Sequence, residues 1–183
     1  MNNYHEYQYS CWEARKQTQD EYEICDFINQ NNLIQPNQSL LHIGIGSNTL
    51  YSTLRKKFDF KYTGITYSIF EYENVLINLN ENYFPILLNK YNPILSKVLK
   101  KYDIIIDNNP TSYGPSDDAN LEYLQILLNS LNNGGIFITH TLGLNYMRTG
   151  DILNMITKLG ILSEFTFEKF SNGEADNIIV LKK

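Results

Sequence analysis

Two glycines two residues apart, Gly44 and Gly46, close the apolar run Leu40, Leu41, Ile43 and Ile45 and precede Ser47 and Asn48. This order reads as a buried strand, a tight turn and the start of a helix, and the chemistry it suits is nucleotide binding. Glycine permits positive φ and lets a ligand come close to the backbone. Ser47 and Asn48 are good N-cap types for a helix running through Leu50, Leu54 and Lys57, which would turn free amide groups and the positive end of a helix dipole toward the ligand. A second strand-like run, Lys61-Tyr62-Thr63-Gly64-Ile65-Thr66, ends twenty residues after Gly46. A nucleotide-binding βαβ unit places its ribose-binding side chain at about that distance.

Other side chains with chemical potential stand at the ends of later apolar runs. His140 ends a central run, and a neutral imidazole there accepts a proton near neutral pH. The alternative is a histidine hydrogen-bonded beneath a loop. Asp107, followed by Asn108, ends the fourth run and is either a ligand-binding carboxylate or a cap for the loop after it. Lys90 and Tyr91 follow the third run, where Tyr91 either stacks on a base or simply packs. The aromatic residues Tyr4, Tyr7, Tyr9 and Trp12 form either a lid over the site or the apolar face of a cap.

These positions matter because of the elements that must carry them. Strand candidates near 39–45, 61–66, 83–88, 102–107, 135–141, 162–170 and 176–182 alternate with helix candidates near 48–57, 69–79, 93–100, 117–132 and 149–159. Alternation of this kind implies an α/β, Rossmann-like fold with a seven-stranded, mostly parallel sheet and helices on both faces. The last two strands are joined only by Ser171-Asn172-Gly173-Glu174, too short for a crossover helix, so they form a C-terminal antiparallel hairpin at the sheet edge. Roughly helical spacing of Trp12, Tyr22, Ile24, Cys25, Phe27 and Ile28 over residues 12–32, broken at Gln35-Pro36-Asn37, marks residues 1–35 as an N-terminal helical cap on a domain spanning 36–183.

Composition narrows the partners. A chain of 183 residues, 43% apolar, with nine Phe and fourteen Tyr, supports one globular unit with a substantial core. A net charge of −5 argues against a protein that grips phosphate backbones, so the expected partner is a small molecule, not nucleic acid. Neither a signal peptide nor a membrane span is evident, so the expected location is cytoplasmic, without stable membrane association. Cys11 and Cys25 are too few for a disulfide framework and have no zinc spacing, so no metal is expected. Oligomeric state is not legible.

Seven strands ending in a hairpin, with a glycine turn after the first, resemble the class I S-adenosylmethionine-dependent methyltransferases. Within that superfamily the resemblance is closest to a shortened form of the cyclopropane fatty-acid synthase and mycolic-acid methyltransferase branch. That branch's second strand ends Gly-(Ile/Leu)-Thr-Leu-Ser-x-x-Gln, and this chain reads Gly64-Ile65-Thr66-Tyr67-Ser68-Ile69-Phe70-Glu71. Tyr9-Ser10-Cys11, Leu33-Ile34-Gln35-Pro36 with Leu40-Leu41, and His140-Thr141 are similar to three more of its segments. The departures are His42 and Thr66, where the superfamily favours acids, Thr111 and Ser112 in place of a Glu-His pair, and a short segment 143–150 where the branch builds its lipid chamber.

The resemblance implies S-adenosylmethionine as cofactor, with S-adenosylhomocysteine as product. Tyr9, Ser10, Gly44, Gly46, Ser47, Asn48, Thr66, Tyr67, Glu71, Lys90, Tyr91, Asp107 and Asn108 would bind it, with Thr66 and Glu71 on the ribose and Asp107 on the amino group. It places Cys11 and His140 at the catalytic centre, His140 as base. The reaction expected is in-line methyl transfer to a small-molecule acceptor. A catalytically inactive binding protein and a dinucleotide oxidoreductase are the competing readings. Asp107-Asn108-Asn109-Pro110 lacks the second proline and aromatic ring of the amino-methylating nucleic-acid enzymes, which this acidic chain otherwise does not resemble.

Overall fold

The computed structural model describes residues 18–77, 79–110, 114–141, 152–171 and 176–183. Its strands are β1 (Ser39–Ile43), β2 (Lys61–Thr66), β3 (Tyr83–Leu87), β4 (Tyr102–Asp107), β5 (Leu131–His140), β6 (Thr166–Ser171) and β7 (Asp176–Lys182). The described helices are α1 (Gln19–Gln30), α2 (Thr49–Leu54), α3 (Ile69–Leu76), α4 (Leu95–Val98), α5 (Asp117–Asn129) and α6 (Ile152–Lys158). The seven strands form one sheet in the order β3-β2-β1-β4-β5-β7-β6. All pairings are parallel except the two made by β7.

Each strand's composition explains its place. The central strands carry uninterrupted apolar runs because both faces are covered, as Ile104, Ile105 and Ile106 of β4 show, all buried. One face packs Ile24, Cys25, Phe27 and Ile28 of α1, Leu50 and Leu54 of α2 and Val75 of α3 against Leu40, Ile106 and Ile138. The opposite face packs Leu95 of α4, Leu124, Leu127 and Leu128 of α5 and Met155 and Ile156 of α6 against Leu41, Ile105 and Phe137.

The terminal hairpin pairs antiparallel as expected, but β7 sits inside the sheet between β5 and β6. Ile178, Ile179, Val180 and Leu181 are buried on both faces, whereas β6 exposes Thr166, Glu168 and Lys169 and tolerates the edge. Other boundaries differ from the expected ones. β5 begins at Leu131, paired with Tyr102, with a register shift before Ile104, so α5 stops at Asn129. α2 and α4 are short, six and four residues.

The strand order reverses between β1 and β4. Open α/β sheets bind ligands in the crevice outside the carboxyl ends of the strands at such a switch point.

Candidate functional site

The first turn beyond β1 has the backbone its glycines foretell. Gly44 lies at φ +78° and Gly46 at φ +53°, and the Gly44 amide donates to the Ile65 carbonyl at 2.8 Å, tying the turn to β2. A Cβ on Gly44 would meet nothing within 4 Å, while one on Gly46 would lie 3.1 Å from Glu21 Oε1. Ser47 is exposed. Asn48 departs from the sequence expectation: it occupies the N-cap position at φ +61° without capping α2, and its Oδ1 instead accepts from Tyr83 Oη at 2.9 Å. In the left-handed conformation its side chain turns away from the helix amides and toward the ring cluster of Tyr51, Tyr62 and Tyr83, whose centroids are 4.5–4.7 Å apart.

At the end of β2, Thr66 Oγ1 donates to Glu71 Oε2 at 2.5 Å and accepts from the Ser68 amide at 3.0 Å. Ser68 caps α3 by accepting the Glu71 amide. Thr66 and Glu71 are buried together one strand from the glycine turn, and Tyr67 is half-buried between them in the chain.

The N-terminal helix contributes three carboxylates, none singled out by the sequence reading. Asp20 Oδ2 accepts from Asn108 Nδ2 at 2.9 Å, just beyond the end of β4. Glu21 Oε2 accepts from the Thr18 amide at 3.2 Å and from Thr49 Oγ1 at 3.1 Å, at the start of α2. Glu23 Oε2 lies 2.9 Å from His140 Nε2 and accepts from Asn177 Nδ2 at 2.8 Å, while Oε1 accepts from Gln19. Helix α1 is thus fastened by acids at three separate places: beyond the end of β4, at the start of α2, and where the end of β5 meets β7. Burial pushes the Glu21 carboxyl above its usual range, reinforced by Asp20 and Glu71 and opposed by its bonds to Thr18 and Thr49. For Glu23, burial acts upward but the bonds from Gln19, His140 and Asn177 outweigh it, and the carboxyl is held low.

His140 has no exposed surface, and with a carboxylate as acceptor its Nε2 carries the proton. His42, equally buried, shares a 2.7 Å hydrogen bond between Nδ1 and Tyr62 Oη, and its Nε2 has no partner among the described residues. Burial drives its pKa down to about 4, against the upward pull of Asp107 and Asp20. Asn108 Oδ1 is a second buried atom without a partner among the described residues.

Asp107 is committed to the protein itself. Its Oδ1 accepts the Asn109 amide at 2.8 Å, and its Oδ2 accepts from Tyr123 Oη at 2.5 Å and Lys90 Nζ at 3.4 Å. Lys90 also donates to the Asn109 carbonyl and lies over the rings of Tyr91 and Tyr123. Burial lowers its pKa, with Asp107 pulling the other way. The Tyr91 ring packs on Tyr123 at 5.3 Å. Loop capping and packing, the plainer alternatives for Asp107 and Tyr91, describe this arrangement.

The structure therefore gathers Gly44, Gly46, Asn48, Thr66, Glu71, Asn108 and His140 at the carboxyl ends of β1, β2, β4 and β5 and adds Asp20, Glu21, Glu23, Thr49 and Asn177. Tyr9, Ser10 and Cys11 lie outside the described residues, as do Thr111 and Ser112. The spacing Thr18-x-x-Glu21, a capping box, is the sequence signal that could have drawn attention to Glu21, though only as the start of a helix. Among the described residues no group of His, Cys, Asp and Glu is placed to hold a metal ion, and no helix is long and apolar enough to cross a membrane.

No family model and no curated protein sequence matches this chain. Solved structures do. The N-methyltransferase NodS from Bradyrhizobium japonicum WM9 superposes with a TM-score of 0.63 at 13% identity, covering 88% of this chain and 94% of that one. This chain has the class I methyltransferase fold. NodS in complex with S-adenosyl-L-homocysteine gives a TM-score of 0.65, again at 13% identity, over 88% of this chain and 85% of that chain. An rRNA methylase from Streptococcus thermophilus gives 0.56 at 13% identity, over 92% and 99%. Methyltransferase folds with both kinds of name thus lie near this one, and the cyclopropane fatty-acid synthase branch is not among the three.

Proposed function

We propose that this chain is an S-adenosylmethionine-dependent methyltransferase acting on a small-molecule acceptor. The observation that carries the reading is the pairing, at the switch point of a methyltransferase fold, of a left-handed glycine turn with two buried carboxylates, Glu21 and Glu71. The residues present suit the cofactor. Gly44 and Gly46 leave room at the turn that a side chain would take, and the acids match a ligand bearing positive charge and a vicinal diol. Glu71, oriented by Thr66, accepts from the ribose hydroxyls, in the position of the Gln found in the cyclopropane fatty-acid synthase branch. When bound, S-adenosylmethionine supplies an activated methyl group to an in-line nucleophile. The chain's task is to align the acceptor and remove a proton where needed, and His140, with its tautomer set by Glu23, is the base of the proposed reaction. A net charge of −5 supports a small-molecule acceptor over an RNA one.

Complete burial of His140 against Glu23 also suits a structural strut, which favours as a second reading a protein that binds the cofactor without turnover. The deciding experiment is calorimetric titration with S-adenosylmethionine, S-adenosylhomocysteine and, as control, NAD. Binding of the first two alone is expected; binding of NAD alone, or of none, would overturn the proposal. Binding without methyl transfer across a panel of O-, N-, S- and C-nucleophiles would favour the second reading.

A further inference from the structure

The geometry points to Glu21, carried by the N-terminal helix, as the residue that takes the α-ammonium group of the cofactor's amino-acid arm. This rests on the S-adenosylmethionine reading and assigns one group of that ligand to one atom of the chain, Glu21 Oε1. The two oxygens of Glu21 differ. Oε2 is satisfied by the Thr18 amide and the Thr49 hydroxyl, whereas Oε1 has no hydrogen-bond partner among the described residues and points at the glycine turn, 3.1 Å from where a Gly46 Cβ would stand. The residue is 5% exposed, so Oε1 faces the turn from a largely dry setting, where a donor brought by a ligand counts for more than it would in bulk water.

Its surroundings call for a cation. The charges that act on Glu21 are those of Asp20 and Glu71, both negative, and among the described residues no Lys, Arg or His pairs with it. An ionised carboxylate in that setting is costly until an opposite charge joins it. A metal ion does not answer the need, because the described residues offer no group of three ligands here. The order of strands says which part of the ligand arrives. With the ribose at Glu71 beyond β2, the rest of the molecule runs across β1 toward β4, and Glu21 stands over the turn that follows β1. Two cationic groups lie along that arm. A sulfonium has no N–H to give, whereas an ammonium has three, so the open acceptor Oε1 selects the ammonium.

The test is titration of the protein and of Glu21→Gln with three ligands: S-adenosylmethionine, S-adenosylhomocysteine, and 5′-methylthioadenosine, which keeps adenine, ribose and thioether but lacks the amino-acid arm. Glutamine serves as well as glutamate at the third position of a capping box, so the substitution keeps the helix start. The expected result is a loss of roughly ten- to a hundred-fold for both S-adenosylmethionine and S-adenosylhomocysteine, the size of a charge-assisted bond, with methylthioadenosine unchanged. A loss confined to S-adenosylmethionine would assign Glu21 to the sulfonium and overturn the inference. So would an equal loss for all three ligands, which is also what a misfolded variant would give, or no loss at all. Each of those leaves the cofactor reading standing, whereas failure of the unsubstituted protein to bind the first two ligands would overturn that reading and this inference with it.

Discussion

Glu23→Ala tests whether α1 is fastened to the sheet as described. The substitution removes the acceptor shared by His140 Nε2, Asn177 Nδ2 and Gln19 Nε2. His140 is fully buried, so its stranded N–H costs about 1–3 kcal/mol, while the partly buried Asn177 loses an ordinary bond of about 1 kcal/mol. Gln19 is exposed and turns to water at no cost. The expected loss is about 2–4 kcal/mol, which for a domain of this length lowers Tm by roughly 5–15 °C. Urea unfolding followed by circular dichroism should show a lower midpoint at unchanged slope. The pH dependence has a definite sign. Since the folded carboxyl is held below its ordinary value of 4.5, its contribution is complete above that pH and is lost as pH falls through the lower folded value. The gap between the two proteins should therefore be full at pH 7 and narrow below 4.5. A difference under about 1 kcal/mol at pH 7, or one that widens in acid, would refute the assignment of Glu23 as the anchor.

Glu71→Ala should weaken S-adenosylmethionine binding by about 1–3 kcal/mol through loss of charge-assisted bonds to the ribose, read by calorimetry; unchanged affinity would remove it from the site. Gly46→Val places a β-branched residue at φ +53° with its Cβ against Glu21, so binding should be lost while circular dichroism stays close to native, and native affinity would displace the proposed turn. His42 is a buried base whose pKa falls from 6.5 to about 4, so the stability it permits is complete above 6.5 and is lost as pH drops toward 4, by up to about 3 kcal/mol. His42→Leu should flatten that part of the stability–pH curve, and an identical slope in both proteins would place the acid sensitivity elsewhere.

What the sequence disclosed and what it hid differ in the range of the interactions. The β1 and β4 runs were legible because a strand buried on both faces is largely apolar, and the turn at Gly44 and Gly46 because glycine takes its positive φ values without strain. Strand order within the hairpin was not, since a short connection fixes antiparallel pairing but leaves open which partner faces β5. The choice fell to burial, Ile178 to Leu181 against the mixed face of β6. The site divides in the same way. Thr66 and Glu71 are five residues apart and their hydrogen bond follows from a local turn, whereas Glu23 meets His140 across 117 residues and Asp20 meets Asn108 across 88. On the sequence, Asp20 and Glu21 look like the ordinary acidic first turn of a helix, favourable to its dipole, and Glu23 like one more polar residue of the turn after it. Only the docking of that helix over the strand ends turns each into a contact with a different strand or turn. A side chain's part in this candidate site therefore depends on where its helix lands, which explains why the residues named from spacing are those of turns and strand ends, and those it missed are the acids of α1 with Thr49 and Asn177, which meet them.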